Sequence, residues 1–130
     1  MATAILNSSV TELGGKFVLD TNCTASQGST NNVTSAAGSV FLVEIDNEAN
    51  ASAVYLKMRD ATSAVASNVN VNADGTPHFT FKCPAYKKIT YSIPGGAVFS
   101  SGISMWCTTS PDVGSVSDAS SAVIVKIIAS

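Results

Sequence analysis

The side chains able to do chemistry are few and scattered. His78 is the only histidine among 130 residues, so a two-histidine metal site or a two-histidine acid–base pair is excluded. A nucleophilic triad would need His78 beside a Ser or Cys and a carboxylate. No Gly-x-Ser-x-Gly elbow occurs, and His78 follows Pro77 on the polar phase of an alternating run. A surface or turn histidine is the expectation. The nine carboxylates, Glu12, Asp20, Glu44, Asp46, Glu48, Asp60, Asp74, Asp112 and Asp118, are dispersed. Asp46 and Glu48 flank one turn, where a glycosidase pair or a calcium site would have to lie. No D-x-D-x-D-G loop supports calcium, and a solvated turn is the commoner case. Neither a Walker loop nor a dinucleotide glycine motif is present. Three cysteines, Cys23, Cys83 and Cys107, give an odd count without a C-x-x-C pair. Cys83 and Cys107 fall on the apolar phase of alternating runs, which predicts buried thiols in place of a disulfide or metal site. The expectation is a non-enzyme with no metal and no cofactor.

The residues left as candidates are aromatic and aliphatic. Trp106 stands on the polar phase of its run. It is read either as covered by a loop or second layer, or as a binding or interface anchor. Tyr55, on an outward phase, and Tyr86, in a turn, are the other aromatic candidates for an interface or a sugar-stacking platform. Ile124 and Ile128 belong to a C-terminal run, Ala122–Ile128, that is apolar on both phases. Such a strand must be paired and covered, within the domain or by another subunit.

The elements positioning these residues read as strands. Val54–Thr109 holds four alternating runs. Val54, Leu56 and Met58 are predicted inward, with Tyr55, Lys57 and Arg59 outward. Helix is the rival reading for 49–66, on propensity alone. In His78–Cys83 the residues Phe79, Phe81 and Cys83 share one face. In Lys88–Ile93 the inward residues are Ile89, Tyr91 and Ile93, and Pro94-Gly95-Gly96 ends that strand. Ile103, Met105 and Cys107 share a face of the next run. Ser39–Asp46 is apolar on both faces up to Glu44, as in a central buried strand, and its short connection predicts an antiparallel hairpin with the strand from Val54. Lys16–Asp20 is a short strand, and Asn68–Asn72 an edge strand within the 60–77 loop. The sum is an all-β fold, an antiparallel two-sheet β-sandwich of seven to eight short strands, jelly-roll or immunoglobulin-like. Residues 1–38 form a polar N-terminal arm or loop region with one short strand, and 39–130 the sandwich core.

Composition narrows the partners. Charged residues are 12% of the chain, about half the usual share, so Ser, Thr and Asn carry the polarity. Such a surface is covered by a neighbouring subunit with little desolvation of charge. A net charge of −2 and seven dispersed Lys and Arg give no basic patch for nucleic acid. No run reaches a membrane span, and the N-terminus lacks the basic and long apolar regions of a signal peptide, which predicts synthesis in the cytosol. Four Asn-x-Ser/Thr triplets, at Asn7, Asn22, Asn32 and Asn50, are expected from composition.

Three stretches carry a resemblance: Val-Tyr-Leu-Lys-Met-Arg-Asp-Ala at 54–61, Thr-Pro-His-Phe-Thr-Phe at 76–81, and Ile-Pro-Gly-Gly-Ala-Val-Phe-Ser-Ser-Gly-Ile-Ser at 93–104. From about Ser39 onward the chain resembles small all-β virion proteins of tailed bacteriophages: capsid decoration (cement) proteins, knobs, or fibre and tail accessories. The resemblance implies a virion component made in the host cytoplasm. It would form a dimer or trimer on the outer capsid surface and stabilise the shell by contacts with the major capsid protein. The alternative is a tail, neck or fibre module that binds host surface glycan. No catalytic residue comes with the resemblance.

Overall fold

The computed structural model describes residues 3–7, 15–25, 34, 36–61, 76–113, 115 and 117–130. Among them are eight strands and no helix: β1 (Thr3–Asn7), β2 (Lys16–Asp20), β3 (Gly38–Asp46), β4 (Val54–Asp60), β5 (Phe79–Cys83), β6 (Lys88–Phe99), β7 (Ile103–Thr108) and β8 (Ile124–Ala129). They form a five-stranded sheet, β1-β2-β8-β3-β6, and a three-stranded sheet, β5-β4-β7. Every pairing is antiparallel.

The two-sheet sandwich expected from the alternating runs is therefore present, and its winding separates the two topologies left open. Past the edge strand β1, one sheet runs β2-β8-β3-β6 and the other β7-β4-β5. That interleaving of early and late strands is the double Greek key of a jelly roll. An eight-stranded jelly roll has one more strand, paired to the outer edge of β7. Here the segment after β2 takes that place, with the Cys107 amide donating to the Thr24 carbonyl at 3.2 Å.

The inward phases meet in one core. Val18, Val40, Val43, Ile45, Val125 and Ile127 of the large sheet face Val54, Leu56, Met58, Cys83, Ile103, Met105 and Cys107 of the small one. Burying side chains of this size contributes about 1.5–3 kcal/mol each. Phe81, Ile89, Tyr91 and Ile93 pack against the core while remaining half-buried, as befits strands at the edges of the two sheets.

Four expectations are corrected. β3 and β4 are not a hairpin: β3 pairs with β6 and β8, and β4 with β5 and β7. Each strand finds its partners further along the chain, so residues 47–53 cross between sheets. β6 does not end at Pro94. It continues to Phe99 through a bulge in which the register jumps from Leu42↔Ser92 to Val40↔Ala97. Gly95 and Gly96 have φ of 79° and 81°. A Cβ on Gly96 would lie 2.9 Å from both the Phe41 ring and the Ser39 Cβ. Glycine is thus needed there for conformation and for space, and proline is tolerated because β6 is an edge. The first 38 residues contain two strands, β1 and β2, both built into the large sheet. β3 is central in its sheet, yet only one of its faces is fully buried. The proposed strand at 68–72 and half of the polar stretch at 21–38 lie outside the described residues.

Candidate functional site

At one end of the sandwich four connections meet: 21–25, 47–53, 84–87 and 109–123. Two buried asparagines tie them together. Asn47 donates its side-chain amide to the carbonyls of Ser52 (2.9 Å) and Pro84 (3.1 Å), and its backbone amide to Lys87 O (2.9 Å). The Asn50 side chain donates to Asn47 Oδ1 (2.9 Å) and Ser121 O (3.1 Å), and accepts from the Ser121 amide (2.8 Å) and the Ser120 hydroxyl (3.4 Å). Asp118 adds the 21–25 segment, its Oδ1 accepting from the Ala25 amide at 2.6 Å. Cys23 donates to Val123 O at 2.9 Å. An amide has two donors and two acceptor positions without a charge, so it joins separate backbones inside a protein without the cost of burying an ion.

Beside this hub lies an open cleft of about 270 Å³, lined by Asn50, Ala51, Ser52, Thr109, Asp118, Ala119 and Ser120. Its walls offer hydroxyls, an amide and a carboxylate. Tyr86 is tied to the same hub, its backbone amide donating to Asn50 O at 3.0 Å. Its φ is +58° and its side chain is 63% exposed. A bulky non-glycine residue in this left-handed region is an outlier.

The five residues singled out by sequence are dispersed. Trp106 is 1% exposed, which agrees with the first of its two readings, a residue covered by a loop, and not with a binding or interface anchor. It stands on the outer face of the small sheet next to Lys57 in register, and both are covered. The Lys57 ammonium donates to Asp112 O at 2.6 Å, which places residues 109–113 over this face. Lys57 is outward by its phase, as expected, yet fully covered. It does face away from the core, but beneath that connection, and burial lowers its pKa while Asp112 partly offsets this. Tyr55 is half-buried on the same face, opposite Thr108 and Lys82. Ile124 and Ile128 are half-buried on the outer face of the large sheet. β8 itself is paired on both sides within the molecule, by β2 and β3. Of the five, only Tyr86 belongs to the loop end.

The hub residues escaped sequence reading because Asn47-Glu-Ala-Asn50 looks like an ordinary polar turn. Two asparagines three apart between two strongly apolar strands were the available signal. Asn50 is buried with its amide fully engaged, so its triplet is no glycan acceptor in the folded chain.

The remaining chemical candidates separate. His78 is exposed, its Nδ1 accepting from the Asp60 amide at 3.0 Å. Asp46 and Glu48 both approach Lys88, at 3.8 and 3.7 Å. Among the described residues, no three His, Cys, Asp or Glu side chains are placed to hold a metal. All three cysteines are free and buried. The Cys107 thiol beside Cys23, followed by burial, holds the Cys23 thiol well above its usual range.

At the opposite end Asp60 accepts four hydrogen bonds, from the amides of Ser100 (3.0 Å), Ser101 (2.7 Å) and Gly102 (3.2 Å) and from the Ser100 hydroxyl (2.8 Å). These donors, the Ser101 amide foremost, lower its pKa from 3.8 to about 2.

The outer face of the large sheet carries a different pattern. Phe17, Ile128 and Leu42 are aligned across β2, β8 and β3, all half-buried. The next row is Leu19, Lys126, Glu44 and Thr90, with Lys126 and Glu44 paired at 3.6 Å. Val98 of β6, between the buried Ala97 and Phe99, is 70% exposed.

Compared with known proteins, the chain has no significant match to a family model, a curated protein or a solved structure.

Proposed function

We propose that this chain is a non-catalytic structural subunit of a tailed-phage virion. In this reading it is a head decoration protein that lays the outer face of its five-stranded sheet against capsid protein or a second copy of itself. The observation that carries the assembly reading is the apolar row Phe17–Ile128–Leu42, with the exposed Val98 further along β6 opposite Ser39, on a face that in an isolated sandwich alternates to polar. The charges next to it are already paired, Lys126 with Glu44 and Lys88 with Asp46, so covering the face strands no lone ion. The phage assignment is supported by the resemblance at 54–61, 76–81 and 93–104. Fold analogy adds little, because jelly rolls serve many functions.

Mass spectrometry and cryo-microscopy of purified virions test this reading. The expected result is a copy number matching the capsid lattice, with the large sheet facing the shell. A Leu42→Lys variant should stay folded as a free protein and be lost from the particle. Only a few copies per virion overturns the decoration reading and leaves the tail or fibre alternative, and absence from virions overturns both.

A further inference from the structure

We propose that the cleft at the loop end, together with Tyr86, is a carbohydrate site that takes one pyranose ring of a glycan. The inference is independent of the sheet-face reading. A sugar ring needs hydroxyl-pairing groups around its rim and an apolar platform for its C–H face. The cleft supplies the first. Ser52, Thr109, Ser120 and Asp118 line a space of about 270 Å³, near the lower end of small-molecule sites, and none of the linings is cationic. Tyr86 supplies the second, as an exposed aromatic whose backbone is fixed to Asn50, itself part of the cleft wall.

The strongest indication is that, among the described residues, no packing contact requires an aromatic at position 86. The ring is mostly exposed, and the stacked and tilted aromatic pairs of the sandwich join Phe79, Phe81, Tyr91 and Phe99 without it. The backbone there favours glycine or asparagine. A bulky ring held in solvent against local preference is the kind of strain that collects at ligand sites. The site is also pre-organised. The Asn47–Asn50 amides pin the cleft wall and, through Tyr86 N and Pro84 O, the turn that carries the ring. Binding then requires little ordering of the chain.

The test is a titration of the isotope-labelled full chain, followed by amide NMR. The probes are methyl glycosides of glucose, galactose, mannose, N-acetylglucosamine and N-acetylgalactosamine, with glycerol as a polyol control, and a glycan array is run alongside. The expected result is saturable shifts at Asn50–Ser52, Thr109, Asp118–Ser120 and Tyr86 for at least one sugar, and none with glycerol. Ser52→Leu, which fills the cleft from an exposed position, should abolish them. Tyr86→Asn, which suits the backbone, should weaken binding by about tenfold, the change that a 1.4 kcal/mol contact confers, while its melting temperature stays at or above that of the parent. No saturable binding to any of the sugars or the array overturns the proposal. So do equal shifts from glycerol, or a Tyr86→Asn variant that binds like the parent.

Discussion

The two ends of the sandwich are closed by different chemistry. At one end, the buried amides of Asn47 and Asn50 join three connections, and the Asp118 carboxylate adds the fourth. At the other, a solvent-facing carboxylate, Asp60, gathers the amides of the 100–102 turn. The amide pair of the first end is indifferent to pH and salt and costs a great deal if one member is removed, because the other stays buried. The second titrates, and water replaces whatever it loses. The end centred on the two amides is the one that holds a cleft and an aromatic in fixed positions. Rigidity from uncharged amides suits a surface that must persist across changing media, whereas the Asp60 end only fastens a strand terminus to its neighbouring turn.

Asn50→Ala should have the largest effect. It removes two donated and two accepted bonds and leaves Asn47 Oδ1 unpaired in the interior, whereas the exposed Ser121 can turn its backbone groups to water. At ~1–3 kcal/mol for a buried group left unsatisfied, a loss of about 2–3 kcal/mol in urea denaturation is expected, the same at every pH between about 5 and 8. A loss below about 1 kcal/mol would show that the loop end is held by packing and would remove the basis for the contrast.

Asp60→Asn should have an intermediate effect and the opposite pH signature. The carboxylate's pKa falls from 3.8 to about 2 on folding, so the unfolded chain takes up the proton first as pH drops. Its stabilisation is fully present above pH 3.8 and is lost as pH falls through about 2. Acid titration of the parent, followed by circular dichroism, should show a loss of stability across that window. In Asp60→Asn this component should be absent, leaving a less stable protein at pH 6 whose acid slope is shallower. Equal acid slopes in the two proteins would mean that the clamp contributes nothing.

How far the sequence revealed these ends follows from the range of the interactions. Strand positions and inward phases were legible, because Val54, Leu56, Met58 and Ile103, Met105, Cys107 alternate locally and the core simply collects them. Partner choice was not, because β3 and β4 are neighbours in sequence yet take β6, β8, β5 and β7 as partners. Nothing local to 47–53 distinguishes a tight hairpin from a crossing between sheets. The glycines of Pro94-Gly95-Gly96 were read as a terminator when they form a bulge within β6, since positive φ serves either purpose. The loop end was largely hidden. Tyr86 could be singled out as an aromatic in a turn, but its conformation and its tie to Asn50, 36 residues earlier, exist only after folding. The same is true of Lys57, whose phase was read correctly and whose cover, the connection through Asp112, comes from 55 residues away.

Lys57 sharpens the contrast most finely, because it holds the 109–123 connection by a charge while Asn50 holds it by an amide. Its ammonium is buried, and its hydrogen bond, 2.6 Å to Asp112 O, reaches a carbonyl on an exposed residue that water can serve instead. Replacing it with methionine keeps the stem packed beside Trp106, removes a desolvated charge and gives up one charge-assisted hydrogen bond. These oppose each other, so Lys57→Met should lie within about 1 kcal/mol of the parent at pH 7. The sign with pH is fixed by the lowered pKa. The unfolded chain keeps this proton up to pH 10.5 while the folded chain releases it earlier, so the parent gains stability as pH rises through that interval. Urea denaturation at neutral and alkaline pH should show that gain in the parent and its absence in Lys57→Met. A loss above about 2 kcal/mol at neutral pH would mean that the ammonium secures the connection as firmly as the buried amides do, and that the absence of charge is not what makes the loop end rigid.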